Sequence, residues 1–447
     1  MINDIERENW TSRIGFILAA AGSAVGLGNI WRFPYITGEN GGAVFLVIYL
    51  IAIVLIGYPI MITEISIGRK SQKNPVGAFK ELAPDTPWWL VGALGVLSGF
   101  VILSFYSVVG GWSMAYIVEA LKGFSADTDF AVYFGDLISG TSFSLFWHFI
   151  FMVLTILIIG AGVVNGIQKV VKLLMPILIV LLGILVLRSI TLQGAAEGLS
   201  FYLKPDFGDL SWGSLGDVIG QAFFTLSLGM GAMLTYGSYL NKDDSITDSA
   251  GYIVGLDTLI AFIAGLAIFP AVFALGMDPT EGAGLVFVVL PAVFAEMPWG
   301  SFFGFLFFLL LSIAALTSAI SLLEVVTAWL IDEKGWARKK AAYVIGFVIF
   351  LMGIPTLLGE GVWSDVQILN MGIMDFYDWI SNSIFLPLGG MLTAIFAGHV
   401  WTARNAAQEA NRGDSVIKVG EIYGLLIKYI LPVVIFIILI MKVVSAF

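Results

Sequence analysis

Long apolar stretches dominate this sequence, and they restrict the possible folds more than any other feature. Residues 302–323, for example, carry no charge, and a helix needs about 20 apolar residues to cross a bilayer. Strands of a membrane barrel would be about ten residues long with alternating polarity, which these stretches lack. We therefore predict an all-α polytopic membrane protein with about eleven transmembrane helices, near residues 14–36, 43–68, 88–121, 146–164, 168–190, 217–239, 250–277, 301–331, 340–358, 371–399 and 421–446.

The composition agrees with a membrane protein and removes several classes of function. Of 447 residues, 59% are hydrophobic and 12% are charged, against about 25% charged in soluble domains. The absence of cysteine excludes disulfides and thiolate chemistry, and the net charge of −10 argues against nucleic-acid binding. The polar first dozen residues do not resemble a cleaved signal peptide. We expect a single transmembrane domain over residues 1–447 in a lipid bilayer.

The basic residues predict the orientation of the bundle, because cytoplasmic loops are enriched in lysine and arginine. With the N-terminus inside, most basic residues fall on the cytoplasmic side. That side receives Arg7, Arg13, Arg69, Lys70, Lys73, Lys80, Lys169, Lys172, Lys242, Lys334, Arg338, Lys339, Lys340, Arg404, Arg412 and Lys418, and the other side receives Lys122, Arg188, Lys204 and Lys442. The sequence therefore predicts a multi-pass plasma-membrane protein with a cytoplasmic N-terminus.

Two of the apolar stretches are interrupted by glycines. They read GSAVGLGNIWRFP (22–34) and FFTLSLGMGAM (223–233), and glycine costs about 1 kcal/mol relative to alanine inside a helix. Close helix packing is one explanation. The other is a pair of broken helices in a 5+5 inverted-repeat transporter, with repeat one at about 10–190, repeat two at about 217–400 and an extra helix at about 421–446. The neighbouring oxygen ligands of Asn29, Thr225 and Ser227 favour the transporter.

These motifs resemble those of the neurotransmitter:sodium symporter family. The first is followed by ENGG (39–42), and the chain also carries GQAFFTLSLGMGAM (220–233) and AALTSAIS (314–321) in the expected order. The resemblance covers the chain from Trp10 to the last stretch. It implies the leucine-transporter fold with broken first and sixth helices, and symport by alternating access. The family normally has twelve helices, and a chain with eleven resembles some of its prokaryotic members, the amino-acid transporters. The resemblance therefore implies a location in a prokaryotic inner membrane.

The resemblance implies two sodium sites, and sodium is a hard cation that binds oxygen ligands. The first site would use Ala24, Asn29, Thr225 and Asp257. The second would use Gly22, Val25, Ala314, Thr317 and Ser318. Back-bonding of the hydroxyls to their own helix is the alternative explanation of the Thr317 and Ser318 pair. Of the remaining bundle acids, Glu64 would accept bonds from the broken backbone, and Glu324 has no assigned role.

Asp257 is the departure from the family pattern that most affects the mechanism. A carboxylate at a helix centre costs about 2.5 to 3.5 kcal/mol on insertion scales, and many members of the family have asparagine at the matching place. Chloride-dependent members hold the anion with residues that match Tyr49, Gln221 and Thr225, and with a serine where this chain has Ala261. A fixed carboxylate supplies that negative charge, so we expect no chloride.

The resemblance also implies an amino-acid pocket. The backbone N–H groups near the first break and the Tyr106 hydroxyl would bind the carboxylate. Monoamine carriers have an aspartate where this chain has Gly26, which disfavours an amine-only substrate. The substrate-binding set is Ala24, Leu27, Gly28, Ile102, Tyr106, Phe224, Thr225, Ser227, Met230, Ser318 and Leu322. Its side-chain lining is apolar, and flexible Met230 stands where phenylalanine is common. We expect hydrophobic L-amino acids, either aliphatic or aromatic.

Alternating access requires two gates and a route for the ions. By resemblance, Arg32 would pair with Asp375 or Asp378 outside, above a lid of Phe224 and Tyr106. On the inside, Arg7 would pair with Asp332, supported by Ser238 and Tyr239, and Trp10 would pack the amino terminus against the bundle. Gly166 and Pro176 would let the cytoplasmic half of the fifth helix unwind. A loop glycine followed by an ordinary membrane proline is the alternative.

The resulting hypothesis is a sodium-coupled amino-acid symporter, with a monomer sufficient for transport. A proton-coupled carrier of the same fold is the alternative, because of Asp257 and Glu324. A channel would repeat its polar rings along a continuous pore, and an enzyme would need a nucleophile–base pair, a phosphate loop or a metal cluster. His148 and His399 lack neighbours at ligand spacing, so we place them at the interface and expect no metal other than sodium.

Overall fold

The computed structural model describes residues 8–209, 212–280 and 284–444, and this part of the chain is helical without a β-strand. Its membrane-spanning body consists of helical segments that we number in chain order. They are α1 (Arg13–Ala24), α2 (Gly28–Glu39), α3 (Ala43–Ser71), α4 (Trp89–Lys122), α5 (Thr141–Gly160), α6 (Val163–Ile190), α7 (Trp212–Thr225), α8 (Ala232–Gly237), α9 (Ile246–Ala274), α10 (Gly300–Lys334), α11 (Arg338–Gly359), α12 (Ile373–Val400) and α13 (Glu421–Val444). Short helices connect them at Pro75–Leu82, Phe130–Ser139, Ala195–Leu203, Leu285–Glu296 and Ala403–Ala410.

The helices confirm the predicted class of fold. In the described part of the chain, nine helices are long and apolar enough to cross a membrane, and α1 with α2 forms a further span that is bent by 47°. Segments α7 and α8 lie on either side of the non-helical residues 226–231 and form the second broken span. The two breaks therefore fall in the two glycine-rich stretches.

Helix α10 is the central element of the bundle. In its most apolar window 89% of the residues are buried, against 22% for the peripheral α13. Helix α4 packs along α10, and α1 packs between α9 and α10. This arrangement holds both breaks against rigid helices in the middle of the bundle.

Side chains from other helices fix the broken backbone. At the first break, the Gly26 N–H donates to Asn29 Oδ1 at 3.0 Å instead of continuing the helical ladder of α1. At the second, Gly229 has a φ of +76°, which only glycine adopts at low cost. The Gly229 N–H donates to Glu64 Oε1 at 2.7 Å, as predicted for that acid. A Cβ at Gly229 would lie 2.2 Å from the Leu386 carbonyl oxygen, so α12 excludes any larger residue there.

Candidate ion and substrate site

The two breaks, α4 and α10 enclose a narrow cavity of about 20 Å³, room for one or two water molecules. Nine of the predicted substrate residues line it: Ala24, Gly28, Ile102, Tyr106, Phe224, Ser227, Met230, Ser318 and Leu322. Leu27 lies behind the wall, where its N–H donates to the Tyr106 hydroxyl at 3.1 Å. Thr225 points away from the cavity, toward Asp257. The narrow cavity means that an amino acid can enter only if the apolar wall moves.

Two serines of the cavity, Ser23 and Ser321, were not predicted. The Ser23 hydroxyl lies 2.7 Å from that of Ser321 and 3.1 Å from that of Ser227. The Ser23 carbonyl, next to the end of α1, accepts from Ser227 at 3.0 Å and from Ser318 at 2.9 Å. Hydroxyls from two other segments thus satisfy a carbonyl beside the break. The position of Ser23 inside the first glycine-rich motif was the one signal that could have identified it.

Asp257 lies at the meeting point of α2, α7 and α9, and its side chain is buried. Its Oδ1 accepts from Asn29 Nδ2 at 2.8 Å and from Thr225 Oγ1 at 3.0 Å. Its Oδ2 is also buried but has no hydrogen-bond partner among the described residues. An uncompensated buried charge is costly, so this oxygen fits a site for a cation. The predicted first sodium site therefore has a chemically suitable donor set.

The candidate second sodium site lies where α10 meets the first break. Thr317 Oγ1 is 3.0 Å from the Ala314 carbonyl oxygen and 3.3 Å from that of Val25. It is also 3.2 Å from the Ile313 carbonyl oxygen, so back-bonding and the contact across to the break occur together. Gly22 faces Val171 of α6, whose side chain would lie 2.9 Å from an added Cβ. The structure brings Thr317, Ala314 and Val25 together, and the role of all five residues as sodium ligands stays a prediction.

The predicted outer ion pair does not occur in this structure. Arg32 makes no ion pair within the described residues; its Nη1 donates to Gln221 Oε1 at 2.9 Å, and its guanidinium lies 5.4 Å from the centre of the Phe224 ring. Gln221 also donates to the Gly28 carbonyl at 2.7 Å, which fixes its amide where Arg32 can reach it. Asp378 instead accepts from Asn382 at 2.6 Å. The positive charge of Arg32 acts on Asp378, one of the two acids proposed for the gate.

Around the inner gate, Trp10 packs as predicted. Its indole N–H donates to the Tyr236 carbonyl at 2.9 Å, and its ring meets that of Tyr239 edge-on at 5.9 Å. Asp332 accepts from the Asn74 backbone N–H at 2.8 Å, and Ser238 donates to the Thr235 carbonyl at 2.6 Å. Arg7 lies outside the described residues, so its pairing with Asp332 stays a prediction.

Glu324, which had no predicted role, forms a buried network at the same end of the bundle as Trp10. Its two oxygens lie 2.7 and 3.0 Å from the Arg338 guanidinium nitrogens, and Oε1 accepts from the Tyr239 hydroxyl at 2.5 Å. Both carboxylate oxygens are therefore occupied. The network joins α10, α11 and the segment after α8, on the side of the bundle where Trp10 lies.

The segment from Gly166 to Pro176 is helical throughout in this structure. Residues near the N-terminus hold the start of α6: the Val163 N–H donates to Glu8 Oε2 at 2.5 Å, and the Thr11 backbone N–H donates to Gln168 Oε1 at 3.2 Å. Unwinding therefore stays a prediction. It would require these contacts to break.

Of the two histidines predicted to lie at the interface, His148 does not lie there. His148 is buried inside the bundle, not at the interface, and its Nε2 lies 3.0 Å from the Phe350 carbonyl oxygen with the two rings stacked. His399 lies near the surface, with Nε2 2.9 Å from the Lys428 carbonyl oxygen. The described residues contain no group of three or more His, Cys, Asp or Glu that could hold a metal ion.

A helical bundle with two broken spans around a narrow, buried cavity defines a secondary transporter of the membrane, not an enzyme. The sequence profile of the sodium:neurotransmitter symporter family matches residues 7–127 and 139–446. The chain belongs to this family of sodium-dependent transporters, and the resemblance of its motifs is confirmed.

Individual relatives agree with this assignment. The uncharacterized sodium-dependent transporter YhdH of Bacillus subtilis is 45% identical over 390 residues, which are 87% of this chain and 86% of that protein. The sodium- and chloride-dependent GABA transporter ine of Drosophila melanogaster is 26% identical over 465 residues, 92% of this chain and 48% of that protein. The crystal structure of MhsT in complex with L-phenylalanine is 49% identical, with a TM-score of 0.91 over 99% of this chain and 100% of that chain.

Proposed function

We propose that this transporter carries hydrophobic L-amino acids together with sodium. The observation that carries the proposal is the narrow cavity between the breaks. Its wall combines the apolar side chains of Ile102, Phe224, Met230 and Leu322 with serine hydroxyls from the breaks and from α10. No charged side chain lines it, so a substrate side chain with a charge would lose its hydration without gaining a partner. The L-phenylalanine bound in the MhsT structure is a hydrophobic amino acid, the class of substrate that we propose for this chain.

Sodium would bind at the two sites beside this cavity. The buried Oδ2 of Asp257 offers a negative ligand at the first site, and Thr317 with the Val25 and Ala314 carbonyls offers neutral oxygens at the second. Ala24 lines the cavity and belongs to the proposed first site, so substrate and ion would stabilise the same backbone conformation. Binding of each should strengthen binding of the other.

Chloride would not take part. The Gln221 amide is already engaged at both ends, by Arg32 and by the Gly28 carbonyl. The Tyr49 hydroxyl is buried beside Asp257 and Thr225, and Ala261, one turn after Asp257, offers no hydroxyl. An anion placed here would face the Asp257 carboxylate directly.

The N-terminus would lie in the cytoplasm, and one monomer would contain the complete transport path. The basic residues favour this orientation. All the groups discussed for substrate and sodium come from a single chain.

A proton-coupled carrier is the second candidate, because Asp257 Oδ2 could bind a proton instead of a sodium ion. Glu324 is less suited to carry a proton, since Arg338 and Tyr239 occupy its oxygens. Binding of labelled L-phenylalanine, L-leucine, L-tryptophan, L-lysine and γ-aminobutyrate to purified protein, in sodium or choline chloride at several pH values, separates the candidates. We expect sodium-dependent binding of the first three. Binding that follows pH without sodium would overturn the proposal.

A further inference from the structure

A larger cavity opens on the lateral, lipid-facing surface of the bundle, away from the substrate site. Its volume is about 520 Å³, within the range of about 300 to 1,000 Å³ that is usual for ligand sites. Apolar side chains of α4, α10 and α11 form its walls, among them Ala93, Leu97, Phe100, Val326 and Ile345. Leu97 is 47% exposed, so the cavity is a groove open to the membrane. We call it the α4–α10 groove.

One end of the groove is charged. Lys80 Nζ lies 2.5 Å from Glu333 Oε2, so these two charges offset each other. Lys334 also lines this end, is exposed, and makes no hydrogen bond or ion pair with any residue that the structure describes. Among the side chains that line the groove, the two lysines therefore outnumber the one acid.

Two tryptophans mark the depth of this charged end. Trp89, at the start of α4, and Trp329, near the end of α10, both line the groove. Tryptophan is enriched at the level of lipid headgroups, and lysine side chains near helix ends extend to the same level. The charged end therefore lies at headgroup depth, and the apolar walls lie along the hydrocarbon.

We propose that the α4–α10 groove binds one anionic membrane phospholipid. An acyl chain lies along the apolar walls, and the phosphate contacts Lys334 and the adjoining Lys80. The excess of lysine over acid complements a headgroup with a net negative charge and gives no such advantage to phosphatidylcholine, whose headgroup is neutral overall. Basic pockets between membrane helices bind anionic headgroups by the same electrostatics.

Native mass spectrometry of the purified protein tests the site with phosphatidylglycerol and phosphatidylcholine of identical acyl chains. We expect one tightly held phosphatidylglycerol and weaker phosphatidylcholine. Lys334→Ala should weaken phosphatidylglycerol binding about fivefold, the equivalent of about 1 kcal/mol for one lysine near an anionic surface, and should leave phosphatidylcholine unchanged. The matched control is Lys418→Ala, which removes an exposed lysine elsewhere.

A second pair of variants tests the apolar wall. Ala93→Phe fills the groove and should remove the bound phosphatidylglycerol, whereas Val54→Phe, at a lipid-facing position that is 61% exposed, should retain it. If Ala93→Phe does not fold, Leu97→Trp on the same wall replaces it. Equal retention of the two lipids by the native protein, or equal phosphatidylglycerol binding by the groove variant and Val54→Phe, would overturn the proposal.

Discussion

The side-chain amide of Asn29 and the carboxylate of Asp257 meet at 2.8 Å, between the first broken span and α9. The contact leaves the other carboxylate oxygen of Asp257 without a hydrogen-bond partner among the described residues. A sodium site that works without chloride requires a fixed negative charge and an oxygen that is free to bind the ion. The Asp257 carboxylate offers both.

Transport by the native protein should not depend on chloride. A second anion about 4 Å from Asp257 would cost about 4 kcal/mol at an effective dielectric of about 20. Asp257→Asn combined with Ala261→Ser removes that repulsion and restores a hydroxyl, so uptake by this variant should require chloride. Ala261→Ser alone keeps the charge and is the control. Uptake is compared in chloride and in gluconate; a native protein that loses activity in gluconate would contradict the prediction.

Replacing both Thr317 and Ser318 by alanine should weaken sodium-dependent substrate binding tenfold or more, on the order of 1.4 kcal/mol or above. Ser318 also lines the substrate cavity, so Thr317→Val alone separates the ion effect from a direct effect on substrate. The control is Ser312→Ala, which removes a buried hydroxyl of the same helix that has no partner in the described residues. The readout is the sodium concentration for half-maximal binding; a folded double variant with an unchanged value would refute the site.

Met230→Phe should narrow the cavity and reduce affinity for tryptophan relative to leucine. A difference of one methylene in an apolar pocket is worth about 1 to 3 kcal/mol, and a rigid ring adapts less than a thioether. Competition against labelled L-leucine measures the ratio, with Met230→Leu as the control that keeps a flexible aliphatic side chain. If tryptophan competes equally well in the native and Met230→Phe proteins, Met230 does not set the size limit.

Arg338→Gln should destabilise the protein more than the double variant Arg338→Gln with Glu324→Gln. The single change leaves the buried Glu324 carboxylate without its cation, which costs about 3 to 5 kcal/mol, whereas the double change removes both charges. Lys339→Gln, at a neighbouring exposed position, should have little effect. Thermal unfolding in detergent ranks the variants. If the double variant is less stable than the single one, the attraction between Glu324 and Arg338 contributes more to stability than the cost of an unpaired buried charge, and the prediction is wrong.

The C-terminal end of α11 should show a pH-dependent stability. Burial raises the pKa of Glu360 to about 7, and the nearby charge of Asp375 acts in the same direction. The folded state then holds a proton that the unfolded state has released, so this residue's contribution to stability falls as pH rises from about 4.5 to about 7. Glu360→Gln should therefore stabilise the protein at pH 8 and change little at pH 4.5. If Glu360→Gln raises the stability equally at pH 8 and at pH 4.5, the raised pKa of Glu360 is not the cause, and the prediction is wrong.

The sequence by itself determined the class of fold and the place of the two breaks. Apolar length is a local property, and about 20 such residues suffice to indicate a span. The breaks were visible because glycine weakens a helix wherever it stands, as at Gly229 and Gly231, both with a φ of +76°. The resemblance of the motifs then predicted most of the residues that line the cavity, among them Ile102 and Leu322.

Only the tertiary structure decided which polar groups meet. Ser23 and Ser321 are 298 residues apart in sequence, Arg32 and Gln221 are 189 apart, and each pair is joined by a hydrogen bond. Glu324 and Arg338 are only 14 apart, but they lie on different helices. A helix that is apolar all round, such as α10, carries no periodic signal of the face that each neighbour will cover. Its rotation and depth are set by packing of the whole bundle, and that packing selects the partners.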